Sequence, residues 1–431
     1  MPAVTETYDA VVVGASFAGL AFAGAAAARG LRVLVVERDA EVGRVVRTTG
    51  VLFSDVLDVM DVPSRFLMNS VRRVRIAPPG RSEPIEIASQ AYRFYMADVT
   101  GMLRWMAEEA QARGAEIRCA TPFVDAARDA DTDGTTRVSL GGPSAQDGGG
   151  SASRAASEAV AAKLLVGADG ARSRVAERME LDRNRRFLAG AEWLVEGVEL
   201  ERDTFYLVMD HELAPGYCAW LAPHGEVAAL GVAGTLRAFS PSESLRAARA
   251  AFKGLADVSA ARVVERKAGV IPVGGRLKHV YRDDARGHAL LLGDAAGLCG
   301  AATGGGIYPA LLTAKLAAHA AANQVGNGQS GAIAAYLKDL AHAGRLGQYL
   351  QIEDWIRRVL DRMGSNADVA LLYGLFAPPE GRRVLQQTLL ETPIISMDGS
   401  FFGVVRALLS KHPRIYGAAV KAAWRRVTTR G

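Results

Sequence analysis

An aspartate at the end of an apolar run and a glycine triplet at the start of a long Ala/Leu-rich segment suggest the chemistry of this chain. These residues are Asp294, Gly304, Gly305, Gly306 and Ile307. A carboxylate accepts hydrogen bonds from sugar-like hydroxyls, and the free N–H groups at a helix start favour a negative group. A flavin offers both, in its ribityl chain and in the ring edge that becomes anionic on reduction. On its own, the pattern is more often a plain strand-to-helix connection.

A second pattern, near the start of the chain, predicts a βαβ unit. A β-branched run at 8–13 predicts a buried parallel strand, an alanine-rich helix follows to about residue 29, and a second strand is expected at 32–36. Such a unit binds a dinucleotide with the pyrophosphate at the helix start and the ribose on an acid after the second strand. The residues expected to contact the dinucleotide are Gly14, Ser16, Phe17, Ala18, Gly19, Glu37 and Arg38. Ser16 replaces the usual second glycine, and its hydroxyl is expected to add a hydrogen bond to phosphate. The alternative is a tight turn without a ligand.

A third apolar run, at 164–168, ends in Asp169 and Gly170. By itself this turn is as typical of an ordinary loop as of a binding site. Three turns of this kind, in this order, favour a single large cofactor.

Together these motifs resemble the FAD-dependent superfamily that includes para-hydroxybenzoate hydroxylase, flavin halogenases and geranylgeranyl reductases, over roughly residues 8–320. The resemblance implies an α/β fold: a Rossmann-like FAD-binding domain (three-layer ββα), an inserted antiparallel-sheet substrate domain and a helical C-terminal region. It also implies FAD, with the pyrophosphate on the helix after Gly14, the ribose on Glu37, the ribityl chain on Asp294 and the ring beside 304–307.

The resemblance implies further cofactor contacts on the adenine and phosphate side. Asp169 belongs to a structural, cofactor-proximal turn, and Val124 is expected to contact adenine through its backbone. The superfamily usually carries Arg or Gln near the start of a helix that here spans 98–113. Val99 stands at that place, so the nearby Arg104 is the expected substitute.

Within the superfamily the chain is most similar to the geranylgeranyl reductases. The segments 43–47, which ends in Arg47, and 303–308 resemble that family's turn after the ribose acid and its flavin-side helix start. Residues 215–223 partly match its substrate-cavity signature, P-x-x-Y-x-W-x-F-P. The expected cavity residues are Tyr217, Cys218, Trp220 and Ala222. Cys218 and Ala222 replace a Tyr and a Phe, so a wider apolar cavity is expected if this face of the strand lines it. Packing of Trp220 in the core is the alternative. The family's redox cysteine is absent, since Thr48 and Thr49 follow Arg47.

Composition agrees with a large soluble enzyme. The chain has 431 residues, 49% of them hydrophobic, a net charge of +5 and three cysteines. These features favour a reducing cytoplasm and give no indication of a metal site, a signal peptide or nucleic-acid binding. We expect a discontinuous FAD domain at 1–70, 96–190 and 280–330, a substrate sheet at 71–95 and 191–279, and a helical region at 331–431.

Two segments of distinct composition stand apart from these domains. The Gly/Ser/Asp-rich stretch 131–157 predicts a hairpin excursion. The apolar and basic stretch 401–430 suits either packing on the body or peripheral contact with an anionic membrane.

Three functions remain open at this point. The favoured one is an FAD-dependent, geranylgeranyl-reductase-like reduction of prenyl or polyene C=C bonds in a bulky hydrophobic substrate. The second is a single-component monooxygenase that hydroxylates an aromatic or polyketide compound, and the third is an electron-transfer flavoprotein for a membrane quinone. Electrons are expected from NAD(P)H or another external donor. The sequence assigns no catalytic acid or base and no oligomeric state.

Overall fold

The computed structural model describes residues 3–80, 83–90, 92–128, 134–142, 156–236, 239–285, 287–342 and 344–386. The stretch 401–430 lies outside these residues, as do 131–133 and 143–155 of the expected excursion. No helix in the described ranges has the length and apolar character needed to span a bilayer.

The chain forms strands and helices that alternate over its first two thirds and are followed by helices alone. The strands are β1 (Val4–Val13), β2 (Val33–Val36), β3 (Val51–Phe53), β4 (Leu67–Val71), β5 (Arg73–Ala77), β6 (Ile85–Ala88), β7 (Phe94–Ala97), β8 (Glu116–Arg118), β9 (Phe123–Arg128), β10 (Thr136–Gly141), β11 (Ala156–Gly167), β12 (Phe187–Glu196), β13 (Thr204–Val208), β14 (Ala219–His224), β15 (Val227–Thr235), β16 (Arg262–Pro272), β17 (Tyr281–Asp284) and β18 (Gly287–Leu291). The helices are α1 (Phe17–Ala27), α2 (Val56–Val59), α3 (Val99–Ala112), α4 (Arg174–Arg178), α5 (Pro241–Ala251), α6 (Ile307–Ala321), α7 (Ala332–His342), α8 (Gly344–Leu360), α9 (Asn366–Phe376) and α10 (Pro379–Gln386). The expected α/β fold class is confirmed.

The first sheet has the order β17-β18-β11-β1-β2-β8, with β9 and β10 branching from β11. Its central strands are parallel and are buried over their last three residues, as in sheets covered on both faces. The register aligns Val13 with Val36 and with Gly167, and Gly167 with Leu291. Four strand ends therefore lie in one row at one edge of the sheet. The residues just after these ends are Gly14, Glu37, Asp169 and Asp294.

The second sheet has seven strands in the order β16-β12-β15-β14-β13-β5-β6. Six of them lie within the segments 71–95 and 191–279 that were expected to form the substrate sheet. The seventh, β12, begins at Phe187, within the segment assigned to the FAD domain. A small third sheet has the order β3-β7-β4. Its side chains belong to the hydrophobic clusters of both large sheets.

Candidate active site

The opening turn is built from two glycines that allow close packing. Gly14 has φ +102°, and a Cβ there would lie 2.6 Å from the carbonyl oxygen of Ala168. A Cβ at Gly19 would overlap the carbonyl oxygen of Gly14. These contacts hold the N-terminus of α1 directly against the turn after β11, so that its backbone N–H groups face the strand-end edge.

Ser16 links α1 to the turn after β11. Its side chain accepts a hydrogen bond from the Gly19 N–H at 3.3 Å and donates to the carbonyl oxygen of Ala168 at 2.9 Å. In this structure the hydroxyl proton is used within the protein, and a hydrogen bond from Ser16 to phosphate stays a prediction. Ser16 caps α1 and links it to the neighbouring turn.

Glu37 and Asp169 organise the turns around them. The Glu37 carboxylate accepts from the N–H groups of Ala15 at 2.9 Å and Asp39 at 3.0 Å. One oxygen of Asp169 accepts from the N–H groups of Arg174 at 2.6 Å and Val175 at 3.1 Å. The other Asp169 oxygen is buried without a partner among the described residues, and burial raises the pKa of this carboxyl.

The remaining residues expected near adenine and phosphate lie away from the central cavity. Arg38 is exposed, and Arg104 is exposed and paired with Glu41 at 3.1 Å. The Val124 carbonyl oxygen accepts from the Arg174 guanidinium at 3.4 Å. The expected substitution of Arg104 for the usual helix-start residue is not supported by a cavity contact, because its side chain turns toward the acid on the surface.

Asp294 meets the glycine triplet at a corner. Its backbone carbonyl accepts from the Asn184 side chain at 2.8 Å, whereas its carboxylate has no hydrogen bond within the described chain. A Cβ at Gly306 would lie 3.0 Å from Asp294 Oδ1, and no side chain caps α6. Burial raises the pKa of Asp294 to about 6. A half-buried acceptor and the open N-terminus of α6 thus lie together; we call Asp294 and 304–307 the triglycine corner.

A helix far along the chain holds this corner. In α8, Glu353 Oε2 accepts from the N–H groups of Ala302 and Thr303, each at 2.8 Å, and from the Thr303 hydroxyl at 3.1 Å. The Tyr349 hydroxyl donates to the carbonyl oxygen of Gly305 at 3.1 Å. Sequence reasoning missed both residues, since an acid and a tyrosine on a helix carry no local signal of this role.

A cavity of about 560 Å³ connects the triglycine corner to an apolar chamber. At one end its wall includes Ser16, Phe17, Ala18 and the corner itself. At the other end the wall is almost entirely aliphatic and aromatic, from the seven-stranded sheet and from the helices after residue 344. Such a cavity suits a polar ligand at one end and a long apolar ligand at the other.

The strand-end edge suits FAD by its own features: a half-buried carboxylate at Asp294 without a donor among the described residues, and a turn at Gly14 and Gly19 where a Cβ would clash. The profile of the FAD binding domain family matches residues 7–344. The chain belongs to this family. It is an FAD-dependent oxidoreductase, and FAD is its cofactor.

Two relatives are similar over most of the chain, and one solved structure has a similar fold. The chain is 27% identical to digeranylgeranylglycerophospholipid reductase 2 of Methanothermobacter thermautotrophicus over 375 residues, which covers 85% of this chain and 91% of the relative. It is 26% identical to digeranylgeranylglycerophospholipid reductase of Methanocaldococcus jannaschii over 332 residues, or 75% and 79% of the two chains. The fold is similar to that of a geranylgeranyl bacteriochlorophyll reductase-like protein from Thermoplasma acidophilum, with a TM-score of 0.74 at 19% identity, over 96% and 99% of the chains.

Three of the four expected cavity residues of this FAD-dependent oxidoreductase line the cavity. The Tyr217 hydroxyl also donates to the Thr303 carbonyl oxygen at 2.6 Å, and Cys218 and Trp220 lie nearby on the wall. Ala222 does not reach the wall, which corrects its expected role. It is fully buried in a cluster with Ile85 and other sheet residues that cover it. Only Cys218 therefore exchanges a large expected side chain for a small one at the wall.

The C-terminal helices supply much of the apolar chamber, which the sequence did not indicate. Their cavity residues are Trp355, Ile356, Val359, Leu360, Val369, Leu372, Tyr373, Phe376, Val384 and Leu385. The region predicted only as helical is thus a wall of the site. Because α8 also holds the triglycine corner, one helix contacts both ends of the cavity.

Proposed function

We propose that this enzyme reduces C=C bonds of a prenyl or polyene substrate. The observation that carries the proposal is the continuous cavity between the triglycine corner and the apolar chamber. The similarity to digeranylgeranylglycerophospholipid reductases supports the same class of reaction. A chamber whose lining is mainly hydrocarbon suits a substrate that is itself a long hydrocarbon chain.

Within this proposal, FAD lies along the strand-end edge. Gly14, Gly19 and the start of α1 take the pyrophosphate, Glu37 takes the adenosine ribose, and Asp294 takes the ribityl hydroxyls. The Ile307 N–H, at the uncapped start of α6, would face the edge of the ring that gains negative charge, whereas the Gly305 N–H donates to the Thr303 hydroxyl at 3.2 Å. When bound and reduced by NAD(P)H or another donor, FAD would supply a hydride for one carbon of the double bond, and the proton for the other carbon would come from solvent.

The residues of the chamber bind and orient the substrate. Apolar burial contributes about 25 cal/mol per Å², so a long prenyl chain gains much of its affinity from residues such as Ile76, Leu207 and Leu372. The same side chains exclude water from the space beside the triglycine corner. Exclusion of water protects hydride from loss to side reactions.

The test is anaerobic single turnover. Purified holoenzyme is reduced with dithionite under argon and mixed with geranylgeraniol, and the return of oxidised-flavin absorbance is followed while products are analysed by mass spectrometry. We expect reoxidation coupled to a product with added hydrogen. Flavin that stays reduced with a panel of geranyl to geranylgeranyl compounds would contradict the proposal.

Hydroxylation of an aromatic compound is the second candidate, and the observation that favours it is the small Cys218 on the cavity wall, where the related motif has a tyrosine. It predicts NAD(P)H oxidation that consumes oxygen and accelerates when an aromatic substrate is added. The reductase predicts no such acceleration. Steady-state oxygen uptake with naphthol-type and prenyl compounds distinguishes the two.

A further inference from the structure

The register of the seven-stranded sheet aligns a row of side chains across the cavity floor. Lys267 lies opposite Glu192, Glu192 opposite Gly231, and Gly231 opposite Trp220. The row continues from Trp220 through Leu207, Ile76 and Ile85. Every member except Gly231 lines the cavity. The floor is therefore polar at one end and hydrocarbon at the other.

The polar end is a built cluster within the protein. The Trp220 indole N–H donates to Glu192 Oε2 at 3.0 Å, and the indole lies across Gly231, where any Cβ would overlap the ring. The Lys267 ammonium is 3.7 Å from Glu192 Oε1 and 4.0 Å from a Glu265 oxygen. Only 10% of the Lys267 side chain and 5% of the Glu192 side chain are exposed.

This cluster has unused hydrogen-bonding capacity. Glu192 Oε1 is buried and accepts no hydrogen bond in the described structure. The Lys267 ammonium has three donors, and its distances to the two carboxylates exceed those of good hydrogen bonds. A buried acceptor beside a buried donor without close partners is costly unless a ligand completes it.

The charges indicate which ligand group completes the cluster. Two carboxylates, Glu192 and Glu265, already balance the single charge of Lys267, so a second anion gains little there. The exposed Arg47 also lines the cavity. Its Cβ packs over Gly269, two residues along β16 from Lys267, so Arg47 is a neighbour of the cluster and not a member of it. A hydroxyl fits the cluster better, because it donates to Glu192 Oε1 and accepts from Lys267 at once.

We propose that Lys267 and Glu192 bind a neutral hydroxyl group of the substrate inside the apolar cavity, with Trp220 fixing the carboxylate. This inference rests on the proposed function and names its substrate class: a prenyl alcohol rather than a hydrocarbon or a phosphate-headed lipid. Ile271, further along β16, contacts the triglycine corner at Gly304. At ~3.3 Å per residue the strand separates the Cα atoms of Lys267 and Ile271 by roughly 13 Å. A hydroxyl bound at Lys267 therefore lies at a distance from the triglycine corner.

Binding to the oxidised holoenzyme tests the inference without turnover. Isothermal titration calorimetry compares geranylgeraniol, its methyl ether and geranylgeranyl phosphate, each in the same detergent. A hydrogen bond to charged groups is worth about tenfold or more in affinity, so the alcohol should bind at least about tenfold more tightly than the ether. The phosphate should bind no more tightly than the alcohol.

Variants assign the preference to the cluster. A Lys267→Met/Glu192→Gln double variant leaves no unpaired buried charge, and its preference for the alcohol should fall to within about twofold while ether affinity is kept. The exposed Lys278→Met serves as the matched control and should keep the full preference. Retained ether affinity also shows that the double variant is folded.

Each other outcome overturns the inference in a distinct way. Equal binding of alcohol and ether by the wild-type enzyme removes the hydroxyl subsite, and a preference that survives the double variant places it elsewhere. Tighter binding of the phosphate, lost in the double variant, would assign the cluster to an anionic head group instead. Reduction of alcohol and ether with equal efficiency would leave the proposed function intact, whereas selective binding without any reduction would leave the subsite intact.

Discussion

Replacement of Glu353 by alanine is expected to destabilise the protein and to weaken FAD binding together. Glu353 lies in α8, and its carboxylate accepts the backbone N–H groups of Ala302 and Thr303 just before the glycine triplet. The side chain is buried, and no other acceptor replaces it in the described structure. The substitution therefore releases the loop that forms the triglycine corner.

The magnitude follows from the donors that lose their partner. Each buried donor left without an acceptor costs about 1–3 kcal/mol, so two N–H groups give a loss of roughly 2–6 kcal/mol. Burial raises the pKa of Glu353, which means that the wild-type carboxylate itself carries a burial cost that the variant removes. We expect a net loss of about 3 kcal/mol and an FAD affinity lower by about tenfold, because binding must then order the loop.

Two measurements on the same preparations provide the assay. Urea unfolding, followed by circular dichroism, gives the free energy of unfolding, and quenching of flavin fluorescence on titration gives the dissociation constant of FAD. Glu353→Gln keeps one acceptor oxygen and should lose no more than about half of the effect. Glu226→Ala removes an exposed glutamate paired with Arg202 and should stay within about 0.5 kcal/mol of the wild type.

The reasoning would be refuted by a Glu353→Ala protein that is as stable as the Glu226→Ala protein and binds FAD as the wild type does. Loss of stability without any change in FAD affinity would refute only the link between α8 and the corner. The Gln variant then shows whether the acceptor oxygen or the charge matters.

Three further changes have expected outcomes. Because burial raises the pKa of Asp294 from 3.8 to about 6, the folded state binds this proton more tightly than the unfolded state does. The free energy of unfolding should therefore fall as pH rises across that interval. Asp294→Asn should remove this pH dependence in urea unfolding of the flavin-free protein, and it should weaken FAD binding. Ser16→Ala removes the cap of α1 and should cost about 1 kcal/mol in the same unfolding assay. Leu372→Trp narrows the apolar chamber and should weaken calorimetric binding of geranylgeraniol several-fold while sparing geraniol.

The cofactor side of the molecule could be predicted because its signals are local. Each apolar run that ends in a glycine or an acid predicts a strand and a turn, and parallel pairing then gathers the turns at one edge. The register of Val13, Val36, Gly167 and Leu291 shows this gathering directly. Local signals did not predict the contact of Ser16, because its hydroxyl donates to the Ala168 carbonyl oxygen, which a turn distant in sequence contributes.

The substrate side could be predicted only in part. Strand alternation identified the face of β14 that carries Trp220, but not the residues that cover Ala222. Four of the first six residues of β16 are charged, so its sequence lacks the apolar alternation of a half-buried strand, and Lys267 was not recognised as a cavity residue. Nor does any local rule connect Glu353 with Thr303, because that contact depends on how α8 packs.

The helices after residue 344 contribute both to the triglycine corner and to the apolar chamber. The match to the FAD binding domain family ends at residue 344, where α8 begins. Beyond that point, Glu353 holds the triglycine corner, whereas Trp355 and Ile356 on the same helix line the apolar chamber. A substrate that displaces α8 would therefore also move Glu353 and, with it, the loop that forms the triglycine corner. Selection for a different substrate in the helices after 344 must preserve Glu353 and Tyr349, or it changes cofactor binding as well.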